Sequence, residues 1–122
     1  MKIIITIASL FILMGCKSVQ NNSNTTTMNL KNLHTENKAV QTNLLFQPTD
    51  GKVISLQIAK NEQLAEHVSK VPALLVCVSG NAVYTDEKGT VINLSSGAYV
   101  MIEQNVKHAV KAIEESNFLL MK

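Results

Sequence analysis

The stretch LAEHVSKVPALLVCVSG, from Leu64 to Gly80, places one histidine just before a long apolar run. A run of this kind, bounded by Pro72 and Gly80, is typical of a buried strand in a barrel or a sandwich. A single histidine beside a strand is more often a surface or core residue than a ligand. The significance of His67 therefore depends on the residues that follow.

The segments around this run have the composition of short strands separated by turn residues. No segment after residue 41 keeps helical spacing over three turns. Gly89, in the turn TDEKGT, is predicted to take a positive φ angle. We predict eight strands, which are NLLF, KVISLQIA, ALLVCVS, NAVYT, VINL, AYVMIE, HAVKAI and FLLM. Short strands without intervening helices predict an all-β antiparallel sandwich or barrel.

Alternation within the strand HAVKAI predicts which of its side chains point inward. Lys111 should face water. His108, Val110 and Ala112 are then expected to share the opposite face, which looks into the interior.

The same argument applies to HVSKV, where Lys70 should face water. His67, Ser69 and Val71 are then expected to point inward. If the alternation continues past Pro72, three further residues also look into the interior: Ala73, Leu75 and Cys77. Two inward histidines would thus line one small barrel.

The segment from Gln63 to Lys122 resembles a single-domain cupin. The first cupin motif has the form His-x-His, then Glu, then six residues and Gly. When Gly80 is taken as the glycine, His67 and Ser69 occupy the paired histidine positions and Ala73 occupies the glutamate position. The resemblance implies a jelly-roll barrel, also called a double-stranded β-helix.

The second cupin motif is matched in spacing more closely than in residue identity. When Gly97 is taken as its first glycine, His108 falls on the histidine of the motif. Glu103 stands at the proline position, Asn105 at the second glycine and Ala112 at the asparagine. The resemblance further implies a homodimer, which would cover exposed sheet edges.

A complete cupin metal site would have three histidines and one glutamate, and this sequence matches only two of them. His67 and His108 are therefore expected to form an incomplete site that holds zinc, iron or manganese weakly at best. A third ligand would have to come from outside the motif. The candidates are Glu66, Glu103, Gln104 and Cys77.

Three functions remain open at this stage. The first is a binding module that holds a small molecule in a pocket lined by Ser69, Ala73, Cys77 and Met101, with the two histidines. The second is a metal-dependent enzyme of the dioxygenase or isomerase type, which uses His67, His108 and a third ligand. The third is a structural or assembly role.

The N-terminal sequence MKIIITIASLFILMGC has the features of a secretory signal, with Lys2 followed by an apolar run. The run is shorter than the roughly 20 residues that a transmembrane helix needs. Residues Leu13 to Cys16 resemble the lipobox of bacterial lipoproteins, in which the cysteine is lipidated. We therefore expect a signal peptide over residues 1–15 and a membrane anchor at Cys16, which places the protein in the bacterial cell envelope and in the outer membrane.

Residues 16–41 are rich in Asn, Thr and Ser and are predicted to form a polar linker in which His34 is solvated. Leu30 and Leu33 would add a short helical turn or a first strand at its end. The domain is predicted to span residues 42–122. Without residues 1–15 the net charge is +1 and aromatic residues are few, which predicts no nucleic-acid partner. Cys77 is the remaining cysteine and is expected to be a buried apolar residue.

Overall fold

The computed structural model describes residues 28–122, so the predicted signal peptide, Cys16 and most of the predicted linker lie outside the described residues. A 3-10 helix over Leu30–Leu33 precedes nine strands. The strands are β1 Val40–Phe46, β2 Val53–Ile58, β3 Gln63–His67, β4 Ala73–Ser79, β5 Asn81–Asp86, β6 Val91–Ser95, β7 Tyr99–Ile102, β8 His108–Ala112 and β9 Ser116–Met121. Within residues 28–122, no helix is long and apolar enough to cross a bilayer.

The strands form two antiparallel sheets, and the predicted all-β fold is confirmed. The five-stranded sheet has the order β1-β2-β9-β4-β7, and the four-stranded sheet has the order β3-β8-β5-β6. The core lies between them and includes the fully buried Tyr84 and Phe118. Strand β4 follows the predicted alternation, because Ala73, Leu75 and Cys77 are all buried.

The turn between β5 and β6 has the predicted form. Gly89 has a φ angle of +84°. The Asp86 carboxylate accepts hydrogen bonds from the backbone N–H groups of Lys88 at 2.9 Å and Thr90 at 3.0 Å. Although desolvation opposes the effect, these bonds and others from Thr90 and Tyr84 hold the pKa of Asp86 below its usual value.

Strand β3 was missed by the sequence prediction. Its sequence QLAEH is short and mostly exposed, and its pairing with β8 shifts register between Leu64 and His67. The chain leaves the sheet after His67, so alternation does not extend to the residues that follow. Ser69 is buried as expected, but Val71 is 47% exposed and the prediction that it points inward is wrong.

The segment before β1 packs on the five-stranded sheet, and the prediction that His34 is solvated is wrong. His34 Nε2 lies 2.9 Å from Ser55 Oγ, and Asn43 Nδ2 lies 3.3 Å from His34 Nδ1. Asn43 also donates to the Leu33 carbonyl at 2.8 Å. Burial lowers the pKa of His34, and the opposing attraction of Glu115 is weaker.

Candidate functional site

The two histidines predicted to share a lining lie side by side. Strands β3 and β8 are neighbours in the four-stranded sheet, and His67 is paired directly with His108. The ring centroids are 4.3 Å apart and the ring planes are inclined by 57°. The fold therefore brings together two side chains that are distant in sequence.

Both imidazoles are held by a backbone carbonyl two residues earlier in the chain. His67 Nδ1 lies 2.9 Å from the Ala65 oxygen, and His108 Nδ1 lies 3.0 Å from the Val106 oxygen. A carbonyl oxygen can only accept, so each Nδ1 must carry the proton and donate. In the neutral form, each Nε2 therefore keeps a lone pair for a ligand.

His67 and His108 open onto a cavity between the two sheets, together with Ser69 and Ala73. Its volume is about 40 Å³, which is room for about three water molecules. Apart from Lys122, the other lining residues are apolar: Leu56, Leu64, Val68, Leu75, Ile102, Val110 and Leu120. The site thus combines two imidazole acceptors with an apolar wall.

The two histidines differ in their surroundings. His108 is only 3% exposed, and the Tyr84 ring stacks near it with centroids 5.9 Å apart. The pKa of Tyr84 is raised to about 12, mainly by burial and then by the negative charge of Asp86 and the hydrogen bond from the phenol to Asp86. The phenol therefore stays neutral. His67 is exposed at the end of β3. His108 therefore forms the inner part of the site and His67 forms its rim.

Many solved structures share this fold. A cupin superfamily protein from Desulfitobacterium hafniense is 18% identical, with 76% of this chain and 84% of that chain covered and a TM-score of 0.68. A cupin-2 domain protein from Shewanella frigidimarina is 14% identical, with 78% and 92% covered and a TM-score of 0.66. The chain has the cupin fold. A protein of unknown function from Streptococcus pyogenes is also similar, with 21% identity, coverage of 78% and 83%, and a TM-score of 0.67.

No protein-family model matches this chain, and no curated protein matches its sequence. The backbone nevertheless meets the requirements of the cupin motifs. Gly80 and Gly97 have φ angles of +110° and +86°. Asn105, which stands at the second glycine of the second motif, has a φ angle of +61°. Asparagine tolerates this left-handed conformation better than other non-glycine residues, so the turn forms without the glycine.

The two other residues at cupin ligand positions supply no further metal ligand. Ser69 Oγ donates its proton to the Val71 carbonyl at 2.6 Å, so its oxygen is neutral and already engaged. Ala73 is buried and has no donor atom. Ser69 and Ala73 thus line the cavity, as predicted, but provide no donor atom for a metal ion.

The other two residues predicted to line the pocket lie elsewhere. Cys77 is fully buried in the core outside the cavity lining, and its Sγ lies 3.6 Å from the Ser79 carbonyl. Burial raises the pKa of this thiol. Met101 is 63% exposed on the outer face, because Val100 and Ile102 on either side of it point into the core. The alternation of inward and outward side chains along β7 predicts that Met101 points away from the core.

The candidates for a third metal ligand are not gathered around the histidines. Glu103 pairs with Lys88, and Gln104 is exposed. Glu66 lines a surface cleft on another side of His108, together with Asp86 and Glu87, and does not line the cavity that holds both histidines. Among residues 28–122, no group of three or more His, Cys, Asp or Glu side chains is placed to hold a metal ion. Catalytic metal sites generally use three protein ligands, so the residues present do not fit one.

A second hollow adjoins the cavity and was not predicted from the sequence. It has a volume of about 500 Å³ and shares Val68, Ser69 and Lys122 with the cavity. Lys52 and Lys70 also line it, and no acidic side chain does. Within the described part of the chain, none of these three lysines forms an ion pair within 4 Å. The hollow beside the cavity is therefore basic, whereas the cleft on another side of His108 carries Glu66, Asp86 and Glu87.

Proposed function

We propose that this cupin binds a small organic molecule in the cavity between its sheets, on a chain that is tethered to a membrane. The pair of Nε2 lone pairs on His67 and His108, set against an apolar wall, supports this function. Hydrogen-bond acceptors at one end of an apolar cavity would orient a ligand that carries a hydroxyl or amide donor.

The dimensions of the site limit the ligand. Pockets for drug-sized molecules have volumes of about 300–1,000 Å³, and this cavity has about 40 Å³. Only a small group therefore enters between the sheets, and the rest of the ligand lies in the adjoining hollow. The ammonium groups of Lys52, Lys70 and Lys122 favour an acidic group there. The ligand class that fits is a small carboxylic acid with a donor group at its other end.

A thermal-shift screen of small hydroxy acids, with their methyl esters as neutral counterparts, tests this proposal. A ligand that binds the folded protein raises its melting temperature with concentration. His67→Ala and His108→Ala should abolish the shift. His34→Ala is the matched control and should keep the shift. His34 precedes β1 and contacts Ser55 of the five-stranded sheet, outside the cavity lining. A shift that survives both cavity substitutions would contradict the proposed site.

The second candidate function is that of a metal-dependent enzyme. The hydrogen bonds from each Nδ1 to a carbonyl favour it, because metal-bound histidines are commonly oriented in this way. Calorimetry with zinc, iron and manganese separates the two candidates. We expect micromolar or weaker binding. Submicromolar affinity that is lost in His67→Ala or in His108→Ala would favour the enzyme and would mean that a third ligand joins the pair. A barrel that binds neither metals nor small molecules would favour a structural role.

The membrane tether depends on Cys16, which lies outside the described residues. We propose that this cysteine is lipidated, which fits the lipobox-like sequence before it. Several acyl chains, at about 0.8 kcal/mol per buried CH₂, would anchor the chain stably. Cys16→Ser should abolish acyl labelling and leave uncleaved precursor in cells. Unchanged labelling of that variant would contradict lipidation at Cys16. Separation of the inner and outer membranes would test the expected outer-membrane location.

A further inference from the structure

His34 is held on the five-stranded sheet by hydrogen bonds that only a neutral ring can make in full. Asn43 Nδ2 donates to the Leu33 carbonyl at 2.8 Å and lies 3.3 Å from His34 Nδ1. Because a carbonyl can only accept, the bond to Leu33 fixes which end of the Asn43 amide is the NH₂ group. His34 Nδ1 must therefore accept from Asn43. The proton of the neutral ring is then on Nε2, which donates to Ser55 Oγ at 2.9 Å.

Protonation of this ring would set two donors against each other. A charged imidazole has an N–H group on both nitrogens, so Nδ1 could no longer accept from the Asn43 amide. The amide cannot turn its oxygen towards the ring without losing its bond to the Leu33 carbonyl. The charged ring therefore loses one of its two contacts with the sheet.

The segment that carries His34 is held mainly by polar contacts. None of residues 28–38 is buried, and only Leu30 and His34 among them are half-buried. The Gln41 side chain adds a donor and an acceptor for the backbone of Glu36, at 2.6 and 3.2 Å. Since the segment places no large apolar side chain in the core, the bonds of His34 provide a large share of its attachment.

The charged groups around His34 leave the neutral ring favoured. Strands β1, β2 and β9 carry no titratable side chain. Glu115, directly before β9, attracts the charged ring, but burial disfavours that form more strongly and lowers the pKa of His34. The segment itself carries Lys31 and the ion pair of Glu36 with Lys38.

We propose that residues 28–38 form an acid-released latch, which neutral His34 holds on the five-stranded sheet and which protonation of the ring frees. The latch is separate from the ligand cavity, because none of the residues that contact His34 lines that cavity. The hold is complete above the pKa of a free histidine, about 6.5. It is lost as the pH falls through the lower pKa of the held ring.

Release of the latch would lengthen the connection between the domain and the membrane, a consequence that rests on the proposed lipidation of Cys16. The freed residues 28–38 would join the predicted polar linker. A flexible coil of this length has a root-mean-square span of about 18 Å. The domain would then reach farther from the membrane at low pH.

Nuclear magnetic resonance of the ¹⁵N-labelled form Lys17–Lys122 tests the latch without any contribution from lipidation. At about pH 7.5 the His34 ring should carry its proton on Nε2, and the backbone order parameters of residues 30–38 should be near 0.85. At about pH 5.5 the order parameters of these residues should fall below about 0.6. Those of β4, in the core of the domain, should stay unchanged.

Two variants separate the charge of the ring from other effects of pH. His34→Gln cannot become charged, so the order of residues 28–38 should be the same at both pH values. Asn43→Asp places a carboxylate opposite Nδ1, which can accept from the charged ring, so the segment should stay ordered at about pH 5.5. Asn37→Asp is the matched control, because Asn37 is exposed and is not among the residues that contact His34. It should release at low pH as the parent does.

Three outcomes would overturn the proposal. The first is a parent whose residues 30–38 are equally ordered at both pH values. The second is release that persists in His34→Gln, because another group would then be responsible. The third is an Asn43→Asp variant that is ordered at the higher pH and released at the lower pH as in the parent, which would mean that the clash at Nδ1 is not the cause.

Discussion

Replacement of Gly80 by alanine tests how the backbone between β4 and β5 constrains this fold. Gly80 has a φ angle of +110°, which side chains rarely adopt. A Cβ atom built there would lie 2.4 Å from Ser116 Oγ, 2.5 Å from the Glu115 carbonyl oxygen and 2.6 Å from Ser116 Cα. Two of these atoms belong to the backbone at the start of β9. The start of that strand would therefore have to move.

The cost can be divided into two parts. The unfavourable backbone conformation costs about 1–3 kcal/mol, and the forced displacement of packed atoms adds about 1–3 kcal/mol. We expect Gly80→Ala to lower the free energy of unfolding by roughly 2–6 kcal/mol, a large share of the 5–15 kcal/mol that is usual for a domain.

Gly97→Ala and Gly89→Ala are the matched controls. These glycines have φ angles of +86° and +84°, but a Cβ atom at either position meets nothing within 4 Å. Their substitution should cost only the conformational part, about 1–3 kcal/mol. Urea unfolding followed by circular dichroism measures all three variants, with the slope m as a check on two-state behaviour. A Gly80→Ala variant within about 0.5 kcal/mol of Gly97→Ala would refute the close approach to β9.

Two further predictions concern groups whose pKa is shifted by burial. The pKa of His34 is lower in the folded state than in the unfolded state, where it is about 6.5. The neutral ring therefore stabilises the fold fully above the unfolded pKa. This contribution is lost as the pH falls through the folded pKa. The urea midpoint should drop more between about pH 7.5 and 5.5 for the parent than for His34→Gln, and equal drops would contradict the role of His34. Cys77 is buried with a raised pKa, so Ellman's reagent should leave the native form Lys17–Lys122 unmodified and react with one thiol after urea is added. Rapid reaction of the native form would contradict the burial of Cys77, because the reagent would then have access to the thiol.

The sequence predicts the fold well because the requirements of the sheets are local. Strand β4 can be recognised from ALLVCVS alone, since alternate residues of an apolar strand face one core. Strand β3 could not be recognised, because QLAEH is short and its pairing is irregular. The packing of residues 28–34 on the five-stranded sheet could not be predicted either. It depends on polar contacts with Ser55 and Asn43, which no periodicity reveals.

The candidate site was predicted in part. Spacing and alternation placed His67 and His108 on one lining, and the structure brings their rings together. The lysines of the adjoining hollow were missed because Lys52, Lys70 and Lys122 come from three separate parts of the chain. A cluster of this kind depends on tertiary packing, and no local sequence pattern indicates it.

The backbone and the chemistry of the cupin motifs have separate requirements in this chain. The turns need positive φ angles, and Gly80, Gly97 and Asn105 all provide them. A metal centre needs several donor atoms around one point, and Ser69 and Ala73 do not provide them. The fold can therefore persist without the coordination sphere. What remains at the site is a pair of imidazoles with fixed tautomers and free Nε2 atoms, which can receive hydrogen bonds without a metal. This chemistry suits recognition of a polar group better than activation of one.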